Sequence, residues 1–120
     1  MSEPTLELFR HVKEVESFTQ GQTIFQEGDP GKVMYVVIEG EVEITVRGKV
    51  IVSLGPGGIL GEMALIDQQA RSATALAKTD CKLASVDEKR FRFLVQQTPH
   101  FALSVMRVMA ERLRRKDAFV

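Results

Sequence analysis

The residues best suited to binding chemistry lie close together in segment 57–72, which holds three glycines, two acidic side chains and one strongly basic side chain. Gly61 lets the backbone approach a ligand closely, and the carboxylate of Glu62 can accept a hydrogen bond from a sugar hydroxyl. Arg71 can hold a phosphate through two parallel N–H···O bonds, and Ser72 adds a hydroxyl donor beside it. Together these residues suit a ligand with one phosphate and one free hydroxyl.

Composition and charge limit the class of protein that can carry this segment. The chain has 120 residues, 44% of them hydrophobic, and 16 Lys and Arg balance 16 Asp and Glu. A net charge of zero gives no overall field toward nucleic acid or an anionic membrane, so local geometry must hold any anion. No stretch of about 18 apolar residues or secretory signal is present, and Cys81 is the single cysteine. We therefore predict one cytoplasmic domain, residues 1–120, without a disulfide or a membrane span.

A long β region is predicted over about residues 18–86. Val42, Ile44 and Val46 alternate with polar residues, which is typical of a strand with one buried face. Short strands separated by glycine-containing turns, among them a hairpin at Gly48, favour a sandwich or barrel with a roll-like topology.

Helices are predicted on both sides of this β region. Apolar residues within segment 6–12 indicate a short N-terminal amphipathic helix. Asp87 is a candidate N-cap for a second helix, and Pro99 suits the first position of a third. The third helix ends in a basic run, 112–116, which we interpret as a solvated helix end. The sequence thus predicts a mainly β fold with flanking helices, the C-terminal pair covering about residues 88–116.

A family resemblance rests on two motifs, Gly-Glu-Met-Ala-Leu at 61–65 and Arg-Ser-Ala-Thr at 71–74. They resemble the phosphate-binding cassette of the cyclic-nucleotide-binding domain family, of the catabolite activator protein and protein kinase A regulatory subunit type. The resemblance extends over about residues 15–116 and implies a double-stranded β-helix barrel, jelly-roll-like, with a short N-terminal helix and C-terminal helices. The family often has phenylalanine where this chain has Leu60 and proline where it has Ala70, but neither position supplies a ligating side chain.

The resemblance also implies a set of ligand-binding residues: Gly61, Glu62, Met63, Ala64, Arg71 and Ser72. Glu62 would accept a hydrogen bond from the ribose 2′-hydroxyl, and Arg71 would bind the exocyclic oxygens of the cyclic phosphate. The Ser72 hydroxyl and the backbone amides of 61–64 would complete the phosphate cradle.

The function implied by the resemblance is a sensor that binds a cyclic nucleotide, cAMP rather than cGMP, and uses no metal or other cofactor. In the bacterial activators the helix corresponding to 99–116 pairs with its twin, so a homodimer or an effector protein is an expected partner of this segment. DNA binding is not expected of the chain as given. The helix carries two apolar rows, of which one is expected on the barrel and the other over the base or on a partner. The first row is Ala102, Val105, Met109 and Leu113, and the second is Leu103, Met106 and Ala110.

Two alternatives remain open at this point. In the first, the barrel is degenerate, Glu62 and Arg71 form a structural ion pair, and the domain serves only protein interaction or dimerisation. The second is an enzyme, which would need metal ligands or a paired acid and base. His11 and His100 lack companions at metal-ligand spacing, so we predict no enzymatic activity.

Overall fold

The computed structural model describes residues 15–115, which form eight strands and three helices. The N-terminal helix predicted near residues 6–12 lies outside the described residues. In chain order the elements are β1 (Val15–Phe18), β2 (Thr23–Phe25), β3 (Val33–Glu39), β4 (Val42–Val46), β5 (Lys49–Leu54), β6 (Ile59–Leu60), α1 (Glu62–Asp67), β7 (Thr74–Ala77), β8 (Cys81–Asp87), α2 (Glu88–Gln97) and α3 (Pro99–Arg115).

The strands form two antiparallel sheets, with strand orders β1-β8-β3-β6 and β2-β7-β4-β5. This is the mainly β, jelly-roll-like arrangement that the sequence predicts. The β4–β5 hairpin turns at Arg47 and Gly48, both with positive φ, which glycine adopts without steric cost. The connection through Gly40 does not make a hairpin, because β3 and β4 belong to different sheets.

Strand β3 divides the core into two layers because its successive side chains point to opposite faces. Tyr35 and Val37 pack between the two sheets, in a cluster that also contains Phe25 and Ile44. The intervening side chains, including Val36, pack on the other face of the sheet against residues of the C-terminal helices. This second cluster fixes α2 and α3 beside α1.

The two C-terminal helices begin where the sequence predicts. The Asp87 carboxylate accepts a hydrogen bond from the Arg90 N–H at 2.8 Å, and α3 starts at Pro99. Within residues 15–115 no helix is long and apolar enough to cross a membrane.

The two apolar rows of α3 are not both buried. Leu103 and Met106 are 41% and 58% exposed, so the second row is open to solvent on the monomer, as a row that contacts the base or a partner should be. The first row is predicted wrongly at Leu113, which is 60% exposed. The buried face of α3 instead contains Phe101, Val105 and position 112. With 3.6 residues per turn, position 113 lies about 100° around the helix axis from position 112, and it therefore falls outside this face.

Candidate nucleotide-binding site

The site begins at the junction of β6 and α1, where the chain turns sharply at Gly61. The φ of Gly61 is 78°, and a side chain there would collide with the guanidinium of Arg71. A glycine is therefore required both by the backbone conformation and by the close approach. The junction leaves the first N–H groups of α1 without intrahelical partners, the arrangement that suits an anion.

Glu62, the first residue of α1, is fully buried and forms an ion pair with Arg112 of α3. Arg112 Nη2 also donates to the backbone oxygen of Ile59 at 2.6 Å. The second carboxylate oxygen of Glu62, Oε2, is buried and has no hydrogen-bond partner among the described residues. Burial raises the pKa of Glu62, whereas the positive charge of Arg112 acts in the opposite direction. Glu62 thus retains one free acceptor atom.

Arg71 is only 6% exposed, and the groups in direct contact with its guanidinium are neutral, although the negative charges of Asp29 and Glu62 act on it from farther away. Nη1 donates to the Gly61 oxygen at 3.1 Å and Nη2 to the Val33 oxygen at 2.6 Å, while the ring of Phe25 lies 4.2 Å from the guanidinium carbon. No carboxylate forms an ion pair with Arg71 in the part of the chain that the structure describes, and its Nε has no partner there. Burial lowers the pKa of Arg71 from its usual value. Within residues 15–115 the site therefore holds a buried cation that forms no direct ion pair with a carboxylate.

The backbone of Arg71 is fixed by the loop between β2 and β3. The Arg71 N–H donates to the Asp29 oxygen at 2.8 Å, and the Gly28 N–H donates to the Arg71 oxygen at 2.9 Å. A side chain at Gly31 would collide with the Cβ of Ala64, so this loop packs directly on α1. The β2–β3 loop therefore contacts both the backbone of Arg71 and α1, and it sets the position of the arginine relative to this helix.

Five of the six residues predicted to bind ligand line one pocket, of ≈ 60 Å³, namely Gly61, Met63, Ala64, Arg71 and Ser72. The Ser72 side chain is exposed, as a ligand donor at a pocket rim should be. Glu62 does not line the pocket, because it is covered. The volume equals that of about two water molecules, and small-molecule pockets are usually several times larger. A nucleotide must therefore extend beyond this pocket or displace part of its wall.

Sequence reasoning missed two residues of this site, Arg112 and Phe25. The interpretation of 112–116 as a solvated helix end is wrong at Arg112, which is 6% exposed. The spacing of Arg112 could have indicated its burial, because position 112 lies eleven residues after Phe101 and seven after Val105, on the buried face of α3. A charged residue in that phase needs a buried partner. The partner is Glu62, so the structural ion pair between Glu62 and Arg71 that the degenerate alternative required is absent from the described residues.

A second, larger cavity of ≈ 730 Å³ shares Gln69 and Ala70, of the loop that joins α1 to β7, with the smaller pocket. It is lined by that loop, by the β2–β3 loop and by the start of α2, including Lys32 and Lys89. It contains none of the six predicted ligand-binding residues. Cavity size alone therefore does not identify the pocket that the sequence predicts.

Comparison with known proteins assigns this chain to a family. The model of the cyclic nucleotide-binding domain matches residues 15–98. The chain therefore belongs to the cyclic nucleotide-binding domain family, and the resemblance seen in the sequence is confirmed.

Individual relatives agree with this assignment. The cyclic AMP receptor protein of Thermus thermophilus is 35% identical over 105 residues, which covers 83% of this chain and 49% of that protein. The crystal structure of the Thermus thermophilus catabolite activator protein matches with a TM-score of 0.82 at 31% identity, over 98% of this chain and 57% of that one. A solved chain from a cyclic-GMP-dependent signalling pathway that regulates bacterial phytopathogenesis has the same TM-score at 28% identity. The match covers 96% of this chain and 95% of that one. The chain spans about half the length of the curated relatives it matches.

Proposed function

We propose that the chain is a cyclic-nucleotide sensor that binds cAMP in preference to cGMP, performs no chemistry itself and signals through α3. The observation that carries this proposal is the buried guanidinium of Arg71, which forms no direct ion pair with a carboxylate among the described residues. A buried charge is costly unless it is paired, and an anionic ligand supplies the missing charge. The cytoplasmic location stays a prediction.

The charges around the pocket favour a cyclic monophosphate over other nucleotides. A 3′,5′-cyclic phosphate carries one negative charge, which matches Arg71, and leaves its 2′-hydroxyl free for Oε2 of Glu62. AMP or ATP brings additional negative charge close to the Glu62 carboxylate, which repels it. The site is therefore expected to discriminate by charge as well as by shape.

The preference for cAMP rests on the run Arg71-Ser72-Ala73, which resembles that of the bacterial activators. The relatives' names differ on this point, since one is a cyclic AMP receptor and another belongs to a cyclic-GMP-dependent pathway. A hydroxyl after the arginine also occurs in cGMP-preferring members of the family. A direct comparison of the two nucleotides is therefore part of the test.

The position of Arg112 supports signalling through α3. Glu62 is fully buried and paired with Arg112 through Oε1, and in this proposal its Oε2 becomes accessible to a ribose hydroxyl when α3 or the Arg112 side chain moves. Ligand binding and the position of α3 are thereby coupled. The exposed row that contains Leu103 and Met106 is the surface through which a second copy of the chain, or an effector protein, senses that position.

One observation favours the alternative, a ligand-free interaction module. The pocket holds only ≈ 60 Å³, and two donors of Arg71 are already bound to backbone oxygens. A degenerate domain would keep this closed state permanently and use the exposed row of α3 alone.

Isothermal titration with cAMP, cGMP and 5′-AMP separates these functions. The sensor is expected to bind cAMP at one site per chain, with 5′-AMP weaker by about tenfold or more, that is about 1.4 kcal/mol. Equal affinity for AMP and cAMP contradicts the assignment of the site, and absence of any binding supports the ligand-free module. Recovery of intact cAMP after prolonged incubation tests the prediction that the chain is not an enzyme.

A further inference from the structure

The geometry points to Phe25 as a positioning residue that holds the guanidinium plane of Arg71 in the orientation required for the phosphate. This inference rests on the proposed function, because it concerns the same site. Phe25 itself belongs to β2, and Arg71 to the loop that precedes β7. Neither the spacing of the two residues nor the cassette motif indicates this contact.

Three neutral groups define the position of the Arg71 side chain. The oxygens of Gly61 and Val33 bind the two terminal nitrogens, and the face of the Phe25 ring lies 4.2 Å from the guanidinium carbon. Hydrogen bonds to the ends of a planar group fix its direction, but they leave it free to tilt about the line that joins them. A flat surface against one face removes that freedom.

The Phe25 ring is itself fixed by the inter-sheet core. It stacks on Tyr35 of β3, with ring centroids 6.2 Å apart and an interplanar angle of 23°. Phe25 also pairs with Ala75 across the β2–β7 ladder, so its backbone cannot shift without disturbing the sheet. Tyr35, Phe25 and Arg71 thus form a stack that extends from the core to the pocket wall, and we call it the aromatic column.

The chemistry of the column suits a cation that lacks an acidic partner. The face of an aromatic ring is electron-rich and attracts a guanidinium, most strongly when both groups are desolvated. Unlike a carboxylate, the ring does not neutralise the charge, so the full attraction for the phosphate remains. The Nε of Arg71, which has no partner among the described residues, stays available to the ligand.

An aliphatic side chain at position 25 would fill part of the same volume but would have no aromatic face for the guanidinium of Arg71. The expected consequence is a loss of affinity for the cyclic nucleotide that depends on the presence of arginine at position 71. A residue that only supports the core would weaken binding to the same extent whatever stands at 71.

A double-mutant cycle tests this distinction. Phe25→Leu, Arg71→Lys and the double variant are titrated with cAMP beside the wild type, and ligand-free unfolding is recorded for each. We expect Phe25→Leu to weaken binding by about tenfold in the wild-type background and by less than about twofold in the Arg71→Lys background. Equal losses in both backgrounds overturn the inference.

Two further variants serve as controls. Phe25→Tyr keeps the aromatic face and is expected to retain affinity within about threefold, whereas Phe25→Met fills the volume without a ring and replaces Phe25→Leu in the cycle if the leucine variant does not fold. Phe91→Leu removes a ring from the other core cluster, where it packs on Phe101, and is expected to leave affinity unchanged. Failure of the wild type to bind any cyclic nucleotide overturns the proposed function, whereas normal binding by Phe25→Leu overturns only the role of the column.

Discussion

Glu62 and Arg112 stand 50 residues apart in the chain and form a buried ion pair that joins the start of α1 to the last turns of α3. Both side chains are almost fully removed from solvent. The pair therefore links the carboxylate expected to contact the ribose to the helix expected to transmit the signal. Removal of one partner of a buried ion pair strongly destabilises a protein, so the contribution of this pair to stability can be measured.

The first prediction concerns stability. Arg112→Leu leaves the Glu62 carboxylate buried and unpaired, so we expect the free energy of unfolding of the ligand-free protein to fall by about 3–5 kcal/mol. Urea unfolding measures this change, and Arg107→Leu, at an exposed position of the same helix, serves as the matched control with little effect. A loss below about 1 kcal/mol for Arg112→Leu would mean that the pair contributes no more than a surface salt bridge.

Local patterns predicted the elements of this fold well. Alternation at Val42 and Ile44 indicated β4, Gly48 indicated the hairpin, and Asp87 indicated the cap of α2, because each depends on neighbouring residues alone. The pairing of β3 with β8 and β6, rather than with β4, depends on contacts distant in sequence, and no local pattern reports it.

The site was predictable only where it is contiguous. Gly61, Met63, Ala64, Arg71 and Ser72 lie in one short segment, and the structure brings them to one pocket. Arg112 and Phe25 reach the site from α3 and β2, so their roles follow from packing. The position of Arg112 on the buried face of α3 was a usable signal, but the three other cations of the run 112–116 suggested a solvated end.

The second prediction concerns Arg71→Lys. Lysine keeps the positive charge but loses the planar set of donors, so it cannot bind the phosphate and both backbone oxygens together. We expect affinity for cAMP to fall by about 2 kcal/mol or more, roughly 30-fold. Arg92→Lys, which alters an arginine in an exposed salt bridge with Glu88, is the matched control for isothermal titration. An unchanged affinity for Arg71→Lys would remove this residue from the site.

The third prediction concerns pH. Burial raises the pKa of Glu62, so in the native protein this carboxyl takes up a proton at a pH where the unfolded chain is still ionised. Over that interval the native state binds more protons, and the contribution of Glu62 to ligand-free stability increases as the pH falls. Affinity for cAMP changes in the opposite direction, because the ribose hydroxyl and Arg112 both require the carboxylate.

Titrations from about pH 7.5 down to about pH 5 test these opposite trends, since the ordinary glutamate value lies near 4.3. Glu62→Gln is the control, because the amide keeps the shape and cannot titrate. We expect the wild type to lose affinity relative to this variant as the pH falls. Parallel pH profiles for the two proteins would show that Glu62 does not titrate in contact with the ligand.

The fourth prediction concerns the exposed apolar row of α3. Met106→Glu places a charge in the middle of this row without disturbing the monomer, because the Met106 side chain is 58% exposed. If a second copy of the chain binds there, the sedimentation coefficient of the wild type in cAMP will exceed that of the variant. Arg107→Glu introduces the same residue at the next exposed position and is expected to sediment like the wild type. Identical sedimentation of all three proteins would contradict binding of a second copy and favour an effector protein as the partner of this row.

The last prediction is that ligand changes the dynamics of α3. Glu62 is fully buried and paired with Arg112, so the proposed function requires an open population in which the ribose hydroxyl can reach the carboxylate. Ligand that then binds both Glu62 and Arg71 holds the helix closed, and the open population decreases. We therefore expect cAMP to slow amide hydrogen exchange in residues 100–115 as well as in 57–74. In Arg112→Leu the helix is no longer tied to the carboxylate, so the same ligand is expected to protect 57–74 while the effect on 100–115 is lost. Protection of 57–74 alone in the wild type would show that the site fills without moving the helix, and that the Glu62–Arg112 pair serves stability only.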